Sequence, residues 1–264
     1  MRDYLYDGSF EGILTCIYHH YYTDRAAGIY RREDYQPSLL HGYMEVETEE
    51  DKATRVYEAI ENKISTYSLR SIYRAYLSCD PDKENKILRY VLLGFQKGHQ
   101  LGSLHGNPAV HDMDVLNKRV GFEQERMLEF VRFEVLDAKA GQQVLYAEIE
   151  PDNDVLELAA HHFAERFRHD PLVIRDAGRN KAIVAYEGHW YVTPLGERLA
   201  GGGVVTPDGT VMELSQDEID YQHLWQTYFD NIAIKERINP RCQRNFMPER
   251  YWKHLTEMNR QAGR

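Results

Sequence analysis

Residues 130–167 read FVRFEVLDAKAGQQVLYAEIEPDNDVLELAAHHFAERF, and the fold class turns on the changes of period inside them. Residues 130–136 alternate in polarity and 142–149 alternate again, with Ala138 to Gly141 as a tight connection between them. That spacing predicts a β-hairpin. Beyond Pro151-Asp152-Asn153-Asp154 the period lengthens: Val155, Leu158, Ala159, Phe163 and Phe167 share one helical face, and the helix stops before Asp170-Pro171. Residues 172–176, 181–186 and 189–193 predict three further short strands, with turns at Asp176-Ala177-Gly178 and Glu187-Gly188. One helix packed on a small antiparallel sheet is the economical arrangement.

Toward the N-terminus, a short strand and a Gly8-Ser9 turn lead into a helix carrying Phe10, Ile13, Leu14 and Ile17, with Asp7 or Ser9 as its cap. Residues 24–46 show no sustained period and read as irregular. Thr48 is expected to cap a helix with Asp51 near the positive end of its dipole and with Val56, Ala59, Ile60, Ile64 and Tyr67 as its buried face. Residues 69–77 and 83–98 predict two more helices, separated at Cys79-Asp80-Pro81-Asp82 because Pro81 disfavours helix at the residue before it. Gly94 and Gly98 are spaced for close packing, whereas Gly102, Gly106 and Pro108 read as interruptions.

Toward the C-terminus, Gly201-Gly202-Gly203 and Pro207-Asp208-Gly209 mark a connector or hairpin. Ser215 and Glu218 form an S-x-x-E capping box, opening a helix whose stripe of Tyr221, Leu224, Trp225, Tyr228, Phe229 and Ile232 is expected to dock on the core. Asn239-Pro240 and Met247-Pro248 start two further helical segments, the last with Arg250, Lys253, Glu257 and Arg260 on one face. The prediction is an α+β fold: a largely helical region over 1–125, the sheet and its helix over 126–196, a connector over 197–214 and a helical segment over 215–264.

With 264 residues, 42% hydrophobic and 28% charged, the chain can bury a core without disulfides. Cys16, Cys79 and Cys242 lie too far apart in sequence to outline a zinc or iron–sulfur motif, so no cofactor is predicted. The first 22 residues lack the apolar run of a signal peptide or membrane span, and a cytoplasmic setting is expected. His99, His105 and His111, with Asp112 and Asp114, resemble a fragment of a metal-hydrolase signature without its other parts, and the adjacent His161 and His162 diverge on a helix. No metal site is predicted.

The clearest functional signal is a reversal of charge. Residues 235–264 hold eight Lys/Arg against three Glu, a net of +5, in a chain of formal net charge −10. Lys235, Arg237, Arg241, Arg244, Arg250 and Lys253 are candidates for phosphate contact, Asn239 and Gln243 can add neutral hydrogen bonds, and Tyr251 or Trp252 could stack on an unpaired base. The competing reading pairs these cations with Glu236, Glu249 and Glu257 and sets the aromatics in the core. A second candidate is a ligand groove formed by Arg132, His162, Asp176 and Arg179, although an internal ion-pair network with Lys181 accounts for the turn residues as well.

Several blocks carry a family resemblance: YDGSFEGIL at 6–14, LRYVLLGFQKG at 88–98, FVRF at 130–133, YAEIEPDNDVLELAAHHFAERF at 146–167, the IRDAGRNKA turn and the closing ERINPRCQRNFMPERYWKHL. Together they resemble bacterial DNA-metabolism proteins that are paired with a radical SAM protein of DNA modification or repair, some of them fused to a uracil-DNA-glycosylase domain. The resemblance implies an accessory role on DNA beside a radical SAM partner that brings its own cluster. It brings no catalytic residues, and glycosylase activity is not carried over. Two alternatives stand beside it: a protein-interaction adaptor for the same enzyme without DNA contact, and a nucleotide or small-molecule enzyme.

Overall fold

The computed structural model describes residues 2–37, 42–138, 141–195, 198–199, 202–206, 209–232 and 234–258. The chain divides into two compact units, Met1–Phe122 and Glu123–Arg264.

In the first unit β1 (Arg2–Tyr6), α1 (Phe10–Tyr22), β2 (Ala26–Arg31) and β3 (Tyr43–Glu45) are followed by α2 (Glu50–Lys63), α3 (Thr66–Tyr76), α4 (Lys83–Lys97), a 3-10 turn at Gly98–Ser103 and α5 (Pro108–Phe130), which runs into the second unit. The three strands are parallel in the order β2-β1-β3. The irregular reading of 24–46 is therefore corrected. The β2 sequence AAGIYR and the three residues of β3 are too weakly patterned to announce strands. They are held by their register on β1, whose Tyr4, Leu5 and Tyr6 are buried. A parallel β1–β2 pair needs a crossover, which α1 supplies.

The Ser9 hydroxyl caps α1 by accepting from Gly12 N at 2.9 Å. Thr48 does not cap α2: its hydroxyl donates to Asp7 Oδ2 at 2.9 Å, and the N-cap position falls to Glu49, which makes no side-chain capping bond. Ala53, Val56, Ile60 and Ile64 are buried along α2, but Tyr67 is exposed because Ser65 has already begun α3. Gly94 packs closely on Ile64: a Cβ there would stand 2.4 Å from Ile64 Cδ1, so that side chain would have to shift. Pro108, read as an interruption, instead opens α5, where a proline needs no helical donor, and Asn107 Oδ1 accepts from Ala109 N at 3.0 Å.

The second unit confirms the hairpin as β4 (Glu134–Asp137) and β5 (Gln143–Ile149), followed by α6 (Leu156–Arg166), β6 (Leu172–Asp176), β7 (Lys181–Tyr186) and β8 (His189–Pro194). Val204–Val205 (β9) and Val211–Leu214 (β10) form a hairpin that joins β4. Gly203 allows their close approach, because a Cβ there would lie 2.7 Å from the Met212 carbonyl; Gly201, Pro207 and Asp208 lie outside the described residues. The result is a seven-stranded sheet in the order β8-β7-β6-β5-β4-β10-β9. It is mixed rather than purely antiparallel, since α6 carries the chain over so that β6 runs parallel to β5.

Strand alternation gives this sheet two different faces. Lys181 reaches from β7 to Asp154 and Glu157 at the start of α6, so that helix covers the face bearing Ile174, Asp176 and Ile183. The other face places Leu136, Val144, Tyr146 and Val173 against Leu195, Val204 and Met212.

Helix α7 (Gln216–Ile232) begins at the predicted cap, with Glu218 N donating to Ser215 Oγ at 3.1 Å. The reciprocal half of the box is replaced: Glu218 accepts from Val135 N at 3.3 Å, and Ser215 N donates to the Val135 carbonyl at 3.1 Å. The expected core docking is overturned. Tyr221, Leu224, Tyr228 and Ile232 are 52–66% exposed, whereas Glu218, Gln222, Trp225, Gln226 and Phe229 are partly covered. A short 3-10 turn (Lys235–Arg237), α8 (Pro240–Phe246) and a second 3-10 turn (Glu249–His254) follow; the last takes the place of the expected helix, and Arg260 lies outside the described residues. Among the described residues no helix is long and apolar enough to cross a membrane.

Candidate nucleic-acid interface

Pro240 opens α8, and Asn239 caps it by accepting from Cys242 N through Oδ1 at 3.0 Å. The cap occupies that oxygen, so Asn239 serves first to aim the helix. Arg237, Arg241, Gln243 and Arg244 are exposed around it. Among the described residues no ion pair engages Arg237 or Arg241, while Arg244 meets Glu249 at 3.3 Å with both side chains more than half exposed. Such a surface pair contributes about 0–1 kcal/mol and yields readily to a phosphate. The side chain of Lys235 lies outside the described residues.

Arg250 and Lys253 have a different role. Arg250 pairs with Glu123 at 2.7 Å and with Asp152, and its guanidinium lies 4.8 Å from the Tyr251 ring centroid. Lys253 pairs with Glu150. Tyr251 is buried and donates to Glu123 Oε1 at 2.8 Å, which gives it a core position, and Trp252 Nε1 donates to the Met247 carbonyl at 3.0 Å. Glu123 also accepts from the backbone N–H groups of Asp152 and Asn153, at 3.0 and 2.7 Å. Burial pushes this carboxyl up, but the Asn153 N–H, the Tyr251 hydroxyl and the Asp152 N–H together hold it below the usual range. The segment is thus anchored through Glu123, Tyr251 and Arg250, leaving Arg237, Arg241 and Arg244 outward.

Of the four groove candidates, Asp176 and Arg179 are joined in an ion-pair network. Asp176 is buried and accepts from Arg179 Nη1 at 2.9 Å, Arg179 also donates to the Pro151 and Asp152 carbonyls, and Lys181 completes the network through Asp154 and Glu157. Burial raises Asp176 and the Arg179 guanidinium offsets it. His162 is exposed on α6, its ring edge-on to Phe163, and Arg132 is exposed just before β4. Among the described residues no group of three or more His, Cys, Asp or Glu is arranged to hold a metal ion.

A second polar network, missed in the sequence, lies on the opposite sheet face. Glu148 accepts from Tyr146 at 3.0 Å and from Arg175 at 2.9 Å, and Glu134 accepts from Arg198 at 2.6 Å. Burial raises the Glu134 carboxyl; Arg198 opposes the rise and Glu218 adds to it. Nearby, Glu148, Arg132, Tyr251 and His254 line a cavity of about 20 Å³, large enough for a single water. Among the described residues nothing hydrogen-bonds the buried His254 Nε2, and burial pushes the imidazole down to about 4 against the pull of Glu148. The available signal was parity: Glu134, Tyr146, Glu148 and Arg175 share the alternation of the inward-facing Leu136, Val144 and Val173.

The fold and these surfaces define an α+β protein with an anchored, arginine-bearing C-terminal segment. A family model described as a domain of unknown function, DUF4130, matches residues 81–257, from just before α4 to just beyond the last 3-10 turn. The match covers more than half of the chain, which therefore belongs to the DUF4130 family. Comparison with curated proteins gives no match.

Proposed function

We propose that this protein is an accessory factor of DNA repair or DNA modification that binds nucleic acid through Arg237, Arg241 and Arg244 and acts beside a radical SAM enzyme. The observation that carries the reading is the separation of roles within one basic segment: Arg250 and Lys253 meet carboxylates of their own unit, while Arg237, Arg241 and Arg244 face solvent around a proline-started helix. Guanidinium groups offer forked donors to phosphate oxygens, and Gln243 adds a neutral amide to the same surface. Contact with phosphate positions a protein on the backbone without selecting a base sequence. The radical SAM association rests on the resemblance of the sequence blocks.

The test is fluorescence anisotropy with labelled single-stranded and duplex oligonucleotides, alongside co-purification with the radical SAM protein. Binding that is lost in Arg241→Ala/Arg244→Ala supports the proposal. Absence of DNA binding with retained co-purification would replace it by the adaptor reading.

A further inference from the structure

Helix α7 is amphipathic in an unexpected direction. Its covered side carries Glu218, Gln222 and Gln226 together with Trp225 and Phe229; Trp225 Nε1 donates to Glu257 and Gln226 Nε2 to the Thr256 carbonyl, both at 3.0 Å. Its outer side presents Tyr221, Leu224, Tyr228 and Ile232, which follow the helical period over three turns. Ile234, Ile238 and Phe246, also more than half exposed, come in the segments just beyond. At about 150–250 Å² for a large aromatic side chain and less for Leu or Ile, the exposed part of the four stripe residues on α7 amounts to roughly 400 Å². That is about half of the ~800 Å² each partner contributes to a standard interface and is the size of apolar patch that marks an interaction site.

We propose that this stripe is an isologous interface with a second copy of the chain, the two α7 helices packing antiparallel about a two-fold axis near Thr227. The charge pattern selects this occupant. Helix α7 contains Asp217, Glu218, Asp220 and Asp230 and no Lys or Arg, whereas the exposed charges beyond its end are dominated by Arg237, Arg241 and Arg244. Asp217 lies ten residues before Thr227 and Arg237 ten residues after it, and the apolar stripe is centred at nearly the same point. A two-fold axis there stacks apolar side chains on their counterparts and sets the acidic, Asp217-bearing start of each helix beside the end of the other, after which Arg237 follows in the chain. The antiparallel helix dipoles favour the same arrangement. Arg237 is shared with the proposed nucleic-acid surface, whereas Arg241 and Arg244 are left for other contacts, so self-association measured without nucleic acid and DNA binding measured with Arg241→Ala/Arg244→Ala fail independently.

Sedimentation equilibrium of the full chain at micromolar concentration should give twice the 31.0 kDa of one copy. Leu224→Glu/Tyr228→Glu should give a monomer that keeps the wild-type circular dichroism spectrum, because both side chains are more than half exposed. Charge reversal tests the register: Asp217→Arg/Asp220→Arg and Arg237→Glu should each weaken self-association at least tenfold, while a one-to-one mixture of the two variants should recover a heterodimer. A wild-type monomer, a dimer that survives Leu224→Glu/Tyr228→Glu, or an interface that forms only with a different protein would overturn the proposal. Failure of the mixed variants to recover would overturn the antiparallel register.

Discussion

Glu123 shows how one carboxylate can decide where a basic segment ends up. It is buried, yet it accepts from two backbone N–H groups, Asn153 Nδ2, Tyr251 and Arg250, so its charge is matched on every side. Glu123→Gln removes the charge but leaves the buried donors in place, and should cost about 3 kcal/mol by urea unfolding at neutral pH. A cost below about 1 kcal/mol would contradict the anchoring role. Because the folded-state pKa is depressed, this contribution is present above about 4.5 and is lost as pH falls through the folded value, so the variant should show a flatter acid limb there. His254 acts in the adjoining window. Held near 4 when folded and at about 6.5 when unfolded, it binds more protons in the unfolded state between those values, and stability therefore rises with pH across that interval. His254→Leu should remove on the order of 1–3 kcal/mol of that pH dependence, measured by denaturant titration from pH 4 to 6.5.

At the scale of elements, legibility followed the length of the pattern. The hairpin, α6 and β6–β8 were readable because each carries several alternating or helical positions between recognisable turns, and the caps at Ser9, Ser215 and Asn239 were readable because capping is local. Strands β2 and β3 were not, since their pairing with β1 is a tertiary event. Helix α7 misled for another reason: its period was correct, but a period does not say which side is covered, and here the covered side is the one where Trp225 and Phe229 stand among Glu218, Gln222 and Gln226. The polar network at Glu134, Tyr146, Glu148 and Arg175 escaped because charged inward positions in a strand look like ordinary solvent-facing ones until the register is known. Two measurements belong at this level. Ser215→Ala should cost about 1 kcal/mol through loss of the α7 cap. Gly94→Ala should cost about 1–3 kcal/mol by crowding Ile64 Cδ1, and Ile64→Val, which deletes that methyl, should recover part of the loss in a double-mutant cycle.

For the whole molecule, the charges have to be judged locally. A chain of net charge −10 repels nucleic acid at long range, but within a screening length of about 8–10 Å at physiological salt the exposed arginines on and before α8 set the local field. The family match extends through this segment without assigning it a role, so the function rests on its chemistry. The most direct test is the salt dependence of DNA affinity. The wild-type protein should bind with a log–log slope that steepens by ~0.9 for each duplex phosphate contacted. Arg241→Ala/Arg244→Ala should flatten that slope by roughly two, while leaving thermal stability unchanged. Affinity that is absent or independent of salt, or a slope that is the same in the double variant, would contradict a nucleic-acid interface at these arginines.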